Sequence, residues 1–197
     1  SYDVAGSVQL IPVPQFSSVT VADTVKASNW NAGTGTGGVV VMEATNTIFL
    51  NAPIDVSGKG FSGGALVNYA GCVWSTDVTA YTLPAAPADP NTNGARKGEG
   101  IADFIANGDY GRGKQANGGG GGNNHNTGGA GGSNYGIGGN GGTRSNETFF
   151  ACHGLNPGIG GLTLSGSGYT IPNNRIFMGG GGGGGHQNNS VGTPGGN

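Results

Sequence analysis

The chain has 197 residues, of which 46 are glycine, and only 9% of its residues are charged. The net charge is −2 and the Lys and Arg residues are scattered, which excludes the basic surface that nucleic acid or an anionic membrane would need. Hydrophobic residues make up 34% of the chain, against about 45–50% in typical domains, so we expect one domain with a thin apolar core.

Residues 1–56 have the clearest strand pattern, because short β-branched runs alternate there with prolines and polar residues. The strongest pattern is a pair of apolar runs, Val39–Ala44 and Thr47–Ala52, separated by Thr45-Asn46. Two such runs around a two-residue gap are typical of a β-hairpin. We therefore predict an all-β fold with a small sheet or sandwich over residues ~7–56, joined by later short strands.

Glycine dominates residues 57–197. Seven consecutive glycines, Gly179–Gly185, bury no side chain and lose much conformational entropy when they are fixed, so side-chain packing cannot order them. We expect either main-chain hydrogen bonds or disorder in this part of the chain. The glycines recur in four blocks: Gly58–Gly64, Gly98–Gly122, Gly128–Gly142 and Gly179–Gly196.

A period of three in two of these blocks favours order. Gly128–Ser133 and Gly138–Thr143 repeat Gly-Gly-X, which suits the polyglycine II helix, an extended relative of polyproline II with three residues per turn. Such helices can exchange N–H···O=C bonds with their neighbours where no side chain keeps them apart. A disordered linker is the alternative, but the large apolar residues between the blocks favour a bundle. The glycines assigned this structural role include Gly118, Gly119, Gly120, Gly121, Gly179, Gly180, Gly181, Gly182, Gly183, Gly184 and Gly185.

Helix signals are almost absent. Ile101–Ala106 is the only candidate, and Gly100 and Gly108 confine it to about one turn. We therefore expect a single helix-poor domain over residues 1–197, with the glycine-rich bundle and its insertions beginning at residue 57.

The two cysteines, Cys72 and Cys152, lie 80 residues apart without the CxxC or Cys/His spacing of a metal site. A disulfide that closes so long a loop would stabilise the fold by about 4 kcal/mol through the entropy of the unfolded chain. The composition is typical of extracellular proteins, in which disulfides persist. We expect the disulfide, and two buried thiols are the alternative.

No constellation of residues indicates catalysis. Each histidine is surrounded by Asn and Gly, which predicts solvated loop positions, and nothing near the central carboxylates would raise a pKa as glycoside hydrolysis requires. We expect no enzyme activity and no cofactor, and we leave open a calcium site assembled from distant loops. The residues concerned are His125, His153 and His186, the carboxylates Glu99, Asp103 and Asp109, and for calcium Asp77, Asp89 or Asp109.

The few charges in the middle of the chain are expected to pair with one another or to donate to carbonyls of the glycine segments. A partner interface is the alternative role. These residues are Arg96, Lys97, Arg112 and Lys114, with Glu99 and Asp109.

Some polar and aromatic residues are candidates for contact or modification. Aromatic side chains in Gly- and Asn-rich loops stack on sugars when exposed, although the rim of the core is the alternative place for them. Thr24, within Asp23-Thr24-Val25, is a candidate for O-glycosylation, and Asn146 and Asn188 fit the N-glycan pattern. The candidate ligand contacts are Trp74, Tyr81, Tyr110 and Tyr135.

An ordered set of phrases resembles the glycine-rich domains near the start of large secreted surface proteins of gliding and related Bacteroidota, many of them adhesin-like. The phrases are Val8–Phe16, Gly37–Val41, Ile54–Gly64, Lys97–Ile101, Gly108–Gly113, Asn117–Asn123 and Met178 with the glycines after it. The resemblance implies export by the type IX secretion route, attachment at the outer-membrane surface and a role in adhesion or gliding motility. In such domains the last glycine run leads into another strand, so we expect a fragment of a longer chain. The architecture also resembles that of the glycine-rich domain of anaplastic lymphoma kinase and of phage tip adhesins.

These features predict a structural and adhesive module of a secreted cell-surface protein, which spaces or presents a binding face. The expected partners are other surface or secretion-machinery proteins, or surface glycans, with no nucleic acid and no membrane insertion. Two alternatives remain open: a lectin-like tip that binds carbohydrate or a receptor, and a subunit of an extracellular polymer.

Overall fold

The computed structural model describes residues 9–68, 94–104, 108–123, 126–143, 156–168 and 177–187. Over these residues the protein is mostly β, has no helix and contains only small strand pairs. The candidate helix is not helical over Ile101–Phe104, its described part. The chain divides into two compact units, Ser1–Gly60 and Phe61–Asn197.

The first unit is built from two successive coils of chain that pair in parallel. β1 (Gln15–Val21) pairs with β3 (Glu43–Leu50), and β2 (Val25–Lys26) pairs with β4 (Ile54–Asp55). Both strand pairs follow the same order along the chain, so each residue of one coil lies beside its counterpart in the next. We call residues 15–30 the first coil and residues 43–59 the second coil.

The predicted hairpin is wrong. Thr45 and Asn46 do not reverse the chain but lie inside the continuous strand β3, where the register against β1 shifts between Phe16 and Ser18. Two residues of β3 oppose one of β1 at this point, which is a β-bulge. Thr-Asn lacks the glycine that a tight two-residue hairpin turn favours. A bulge inside one continuous strand interrupts two apolar runs in the sequence just as a short turn does.

The second unit contains one short strand pair, β5 (Val67–Asn68) with β6 (His186–Gln187), again parallel. The described strands thus form three two-stranded sheets rather than the predicted single sheet or sandwich. The pairing joins positions far apart in sequence, and local strand propensity contains no information about such partners.

Extended glycine-rich segments make up most of the described second unit, and they are joined by lateral main-chain hydrogen bonds. The 117–123 segment is fully buried and lies among several others. Its amides at Gly119 and Gly122 donate to Gly181 and Gly184, and those at Gly120 and Asn123 donate to the 156–164 segment. Gly121 donates in a third direction, to Gly111. Successive amides of this segment therefore point to different neighbours, and the direction returns every third residue.

The same spacing recurs between other segments. Gly180, Gly183 and His186 donate to Ser133, Ala130 and Thr127, so the partner moves three residues back as the donor moves three forward. These two segments run antiparallel, whereas the 117–123 and 179–185 segments run parallel. The sequence pattern did not identify the 156–164 segment, whose Gly158 and Gly161 donate to Gly128 and Gly131.

Glycine is required where these segments approach each other. A Cβ placed on Gly98 would fall on the carbonyl oxygen of Gly181, and one placed on Gly183 would fall on that of Gly120. Outer positions such as Gly139, Gly142 and Gly179 have nothing within 4 Å of an added Cβ. Neighbouring backbone atoms therefore exclude any larger residue at the inner positions, whereas the outer positions have room for a side chain.

The apolar core over the described residues is thin, as composition predicted. Its buried hydrophobic side chains are Val21, Ala27, Phe61, Val67, Ala95, Ala130 and Leu164. Several of these are alanines, so main-chain bonds carry much of the cohesion of the second unit.

Candidate functional site

Polar side chains join the ends of the glycine segments. Asn117 is fully buried; its Nδ2 donates to the carbonyl oxygens of Ser133 at 3.1 Å and Met178 at 3.0 Å, and its Oδ1 accepts from Ile101 N at 2.8 Å. The side-chain amide thus donates and accepts as a peptide group does, at the start of the 117–123 segment. Sequence reasoning missed this role, although an Asn directly before five glycines was a usable signal.

Other side chains also bond main-chain groups, Asn134 and Asn140 from exposed positions and Gln115 from a buried one. Asn140 Oδ1 accepts from Gly160 N at 2.9 Å, and Asn134 Nδ2 donates to Phe177 O at 3.1 Å. Gln115 Nε2 donates to Asp103 O at 2.8 Å. These bonds satisfy main-chain groups at places where no glycine segment supplies a partner.

Lys97 lies inside the second unit with only 1% of its surface exposed. Its Nζ donates to the carbonyl oxygen of Gly108 at 2.6 Å, and its backbone N donates to Asp109 O at 2.8 Å. Burial of the ammonium group lowers the pKa of Lys97 to about 8, against 10.5 ordinarily, although the negative charge of Asp109 raises it.

Arg96 and Asp109 pair with each other, and Arg112 donates to a carbonyl, which are the two kinds of contact that the sequence suggested. Arg96 Nε lies 3.6 Å from Asp109 Oδ2, and the Arg96 guanidinium lies 5.8 Å from the centre of the Phe104 ring. Arg112 Nε donates to Pro157 O at 3.0 Å, and burial lowers the pKa of its guanidinium. Glu99 Oε2 accepts from Ser62 N at 3.1 Å. These contacts stabilise loops between the glycine segments.

The candidate ligand-contacting aromatics fall in different places. Tyr110 is half-buried and its backbone bridges to Arg96. Tyr135 is 89% exposed and lies in the loop between two glycine segments, next to Ile137, which is 73% exposed. Trp74 and Tyr81 lie outside the described residues.

Some of the remaining predicted positions lie within the described residues and others lie outside them. Thr24 is exposed in the connection between β1 and β2, where its N donates to Asp23 Oδ1 at 2.6 Å. Cys72, Cys152, His125 and His153 lie outside the described residues, as do Asp77, Asp89, Asn146 and Asn188. The two assigned sets of glycines are brought together, since Gly119 N donates to Gly181 O at 2.9 Å.

His186 corrects one expectation. It was predicted to be a solvated loop residue, but it lies in β6 and is only 2% exposed. Its backbone N donates to Thr127 O at 2.9 Å, so the strand continues the glycine run into the buried region. Sequence neighbours of Asn and Gly do not indicate exposure when the glycines themselves form the interior.

Among the described residues, no group of three or more His, Cys, Asp or Glu side chains converges to hold a metal ion. None of the described segments forms a helix that is long and apolar enough to cross a membrane. Comparisons with family models, with curated proteins and with solved structures each find no match to this chain.

Proposed function

We propose that this chain is a structural and adhesive module of a secreted cell-surface protein, which spaces or presents a binding face and has no catalytic role. In this proposal the glycine segments of the second unit are polyglycine II helices, packed side by side with mixed directions. Within the second unit, the β5–β6 strand pair is only a small addition to these segments.

The observation that carries the proposal is the three-residue recurrence of lateral hydrogen bonds. A β-strand sends its amides to two sides with a period of two, whereas a three-fold extended helix sends them in three directions with a period of three. The bonds from Gly119, Gly120, Gly121 and Gly122 follow the second pattern. The exclusion of a Cβ at inner positions is what such close packing requires.

A bundle of this kind suits a spacer outside the cell. Each segment is bonded to several others, so a protease would have to break many main-chain bonds at once to extract one. Few charges and few exposed side chains are needed for its stability, which leaves loops free to vary and to carry contacts. The resemblance to Bacteroidota surface domains supports export by type IX secretion, and other surface proteins or surface glycans as partners.

A pair of glycine-to-alanine substitutions within the same heptaglycine run tests the proposal. In Gly183→Ala the new methyl group meets the carbonyl of Gly120, so neighbouring segments must separate, and we expect a loss of about 2–4 kcal/mol in stability. In Gly179→Ala the methyl group has nothing within 4 Å, and we expect a change within about 1 kcal/mol. Thermal melting and the rate of limited proteolysis of the full chain measure both effects.

Equal melting temperatures and equal proteolysis rates for the two variants would refute the bundle. A flexible spacer would tolerate both changes, because no neighbouring backbone would restrict either residue. Equal melting temperatures that both lie below that of the native chain would refute the bundle too, since the outer position should accept a methyl group.

The exposure of Tyr135 favours a second candidate, a lectin-like tip that stacks this ring on a sugar. Tyr135→Ala should then abolish binding on a glycan array, and Tyr135→Phe should retain it because the ring that stacks is kept. Binding that survives Tyr135→Ala, or no glycan binding by the native chain, would reject this candidate and leave the spacer role.

A further inference from the structure

The two ends of the coiled first unit have complementary surfaces. An open, mostly apolar groove of about 530 Å³ lies at the first-coil end. Val19, Val21 and Val25 of the first coil line it, together with Val39–Met42 of the connection to the second coil. Its lining comes from residues 11–42 and includes no residue of the second coil.

The second-coil end exposes apolar side chains instead of enclosing them. Ile48 and Ile54 are each 41% exposed, and Leu50 is 62% exposed. Phe49 and Val56 are exposed beside them. Such a group of large apolar side chains on one sheet edge indicates a surface that another chain covers.

The register of the strands relates these two surfaces. The exposed side chains of the second coil are the pairing partners of the groove-lining side chains of the first coil. The pairs are Val19 with Ile48, Val21 with Leu50, and Val25 with Ile54. A further layer in the same register would therefore place the partly exposed Val19 and Val25 beside Ile48 and Ile54, with the buried Val21 in register with Leu50, and would repeat the pairing that the chain already makes within itself.

Polar partners repeat in the same register. Lys26 lies opposite Asp55 in the strand register, Gln15 Nε2 donates to Glu43 Oε2 at 3.3 Å, and Lys59 Nζ donates to Asn29 Oδ1. In each pair one residue comes from the first coil and the other from the second coil. A first coil laid on a second coil would place Lys26 opposite Asp55 and Gln15 beside Glu43 once more, so this register brings one cation and one amide donor to the two carboxylates of the second coil.

Among the described strands, β3 and β4 each pair with only one neighbour, so each keeps one free edge. We propose that the second-coil end binds the first-coil end of a second copy of this chain and continues the parallel ladder head to tail. The two surfaces differ, so the contact is heterologous and further copies extend the row. This inference goes beyond the proposed spacer role, and it stands or falls independently of the glycine bundle because it concerns residues of the first unit alone.

Sedimentation velocity over a range of chain concentrations tests the association. The native chain should sediment faster as its concentration rises, and Leu50→Glu should remain monomeric because a carboxylate would be buried in the contact. Ile137→Glu, at an exposed apolar position of the other unit, is the matched control and should associate like the native chain. Leu50 is already largely exposed, so the melting temperature of Leu50→Glu should match that of the native chain and show that folding is intact.

A native chain that stays monomeric at every concentration overturns the proposal and leaves the apolar edge to a different occupant. Association by Leu50→Glu equal to that of the native chain also overturns it. A photo-crosslinking amino acid in place of Phe49 then tests the register, using a mixture of isotopically labelled and unlabelled copies to identify links between chains. Links to the region of Thr20, the register partner of Phe49, are expected; links between the two Phe49 regions would show a symmetric contact and reject the head-to-tail arrangement.

Discussion

Lys97 shows how a single residue is affected by an interior made of backbone. An ordinary apolar core would exclude a lysine, but here the carbonyl oxygen of Gly108 accepts a hydrogen bond from the ammonium group at 2.6 Å while the side chain remains buried. A carbonyl carries only a partial charge, so it compensates incompletely for the loss of water around the ammonium group. The folded chain therefore binds the Lys97 proton more weakly than the unfolded chain does.

This difference predicts stability that increases with pH. Between pH 8 and 10.5 the unfolded state holds more protons than the folded state, so the penalty for the charged lysine is fully present below pH 8 and disappears as the pH rises. We expect the free energy of unfolding to be larger at pH 9.5 than at pH 7.5 by about 2 kcal/mol. Urea titrations at the two pH values provide the measurement.

Lys97→Met should remove this rise, because the side chain keeps its length but no longer titrates. Lys114→Met removes a charge from the same region and should leave the rise unchanged. If the Lys97→Met chain gained stability with pH as the native chain does, the buried ammonium group would not be its source.

The glycine segments and the coils show opposite ways of using the same backbone groups. In the coils, β1 and β3 exchange bonds in one plane, and side chains stand on both faces. In the segments, amides point to different neighbours in turn, so one segment can join several others but cannot carry a side chain where a neighbouring carbonyl is in contact, as at Gly98 and Gly183. Asn117 illustrates the boundary, since its amide completes the bonding where the glycine run begins.

Amide hydrogen exchange tests this description of the segments. The amides of Gly180, Gly181, Gly183 and Gly184 donate to residues of other segments at 2.8–2.9 Å. They should exchange only through global unfolding, because no one of them can open without displacing its neighbours. Thr34 and Gly35 donate within the exposed turn at Asn31 and should exchange much faster, through local opening.

Rapid exchange across Gly179–Gly185, at the rate of the Thr34 turn, would contradict the lateral bonding. Protection that disappears in Gly183→Ala but persists in Gly179→Ala would connect the exchange behaviour directly to the close contact with Gly120.

At the scale of the whole molecule, the two units obtain cohesion in different ways. Ser1–Gly60 repeats a coil in parallel register and leaves apolar side chains exposed at one end. The described residues of Phe61–Asn197 join backbone to backbone, and few of them bury hydrophobic side chains. A main-chain hydrogen bond contributes about 0.5–1.5 kcal/mol net to the free energy of unfolding. Many such bonds are therefore needed to offset the entropy lost when glycine is ordered.

The sequence by itself determined the mostly-β character, the thin core and the absence of helix over the described residues, because these follow from composition and from local propensity. It also indicated a three-residue repeat in the glycine segments, because the Gly-Gly-X pattern can be read directly from the sequence. Only the tertiary structure decided that Thr45-Asn46 is a bulge, that β1 pairs with β3 in parallel and that His186 is buried. Each of these depends on which distant segment lies alongside, and a glycine run contains no side chains that would specify its partner in advance.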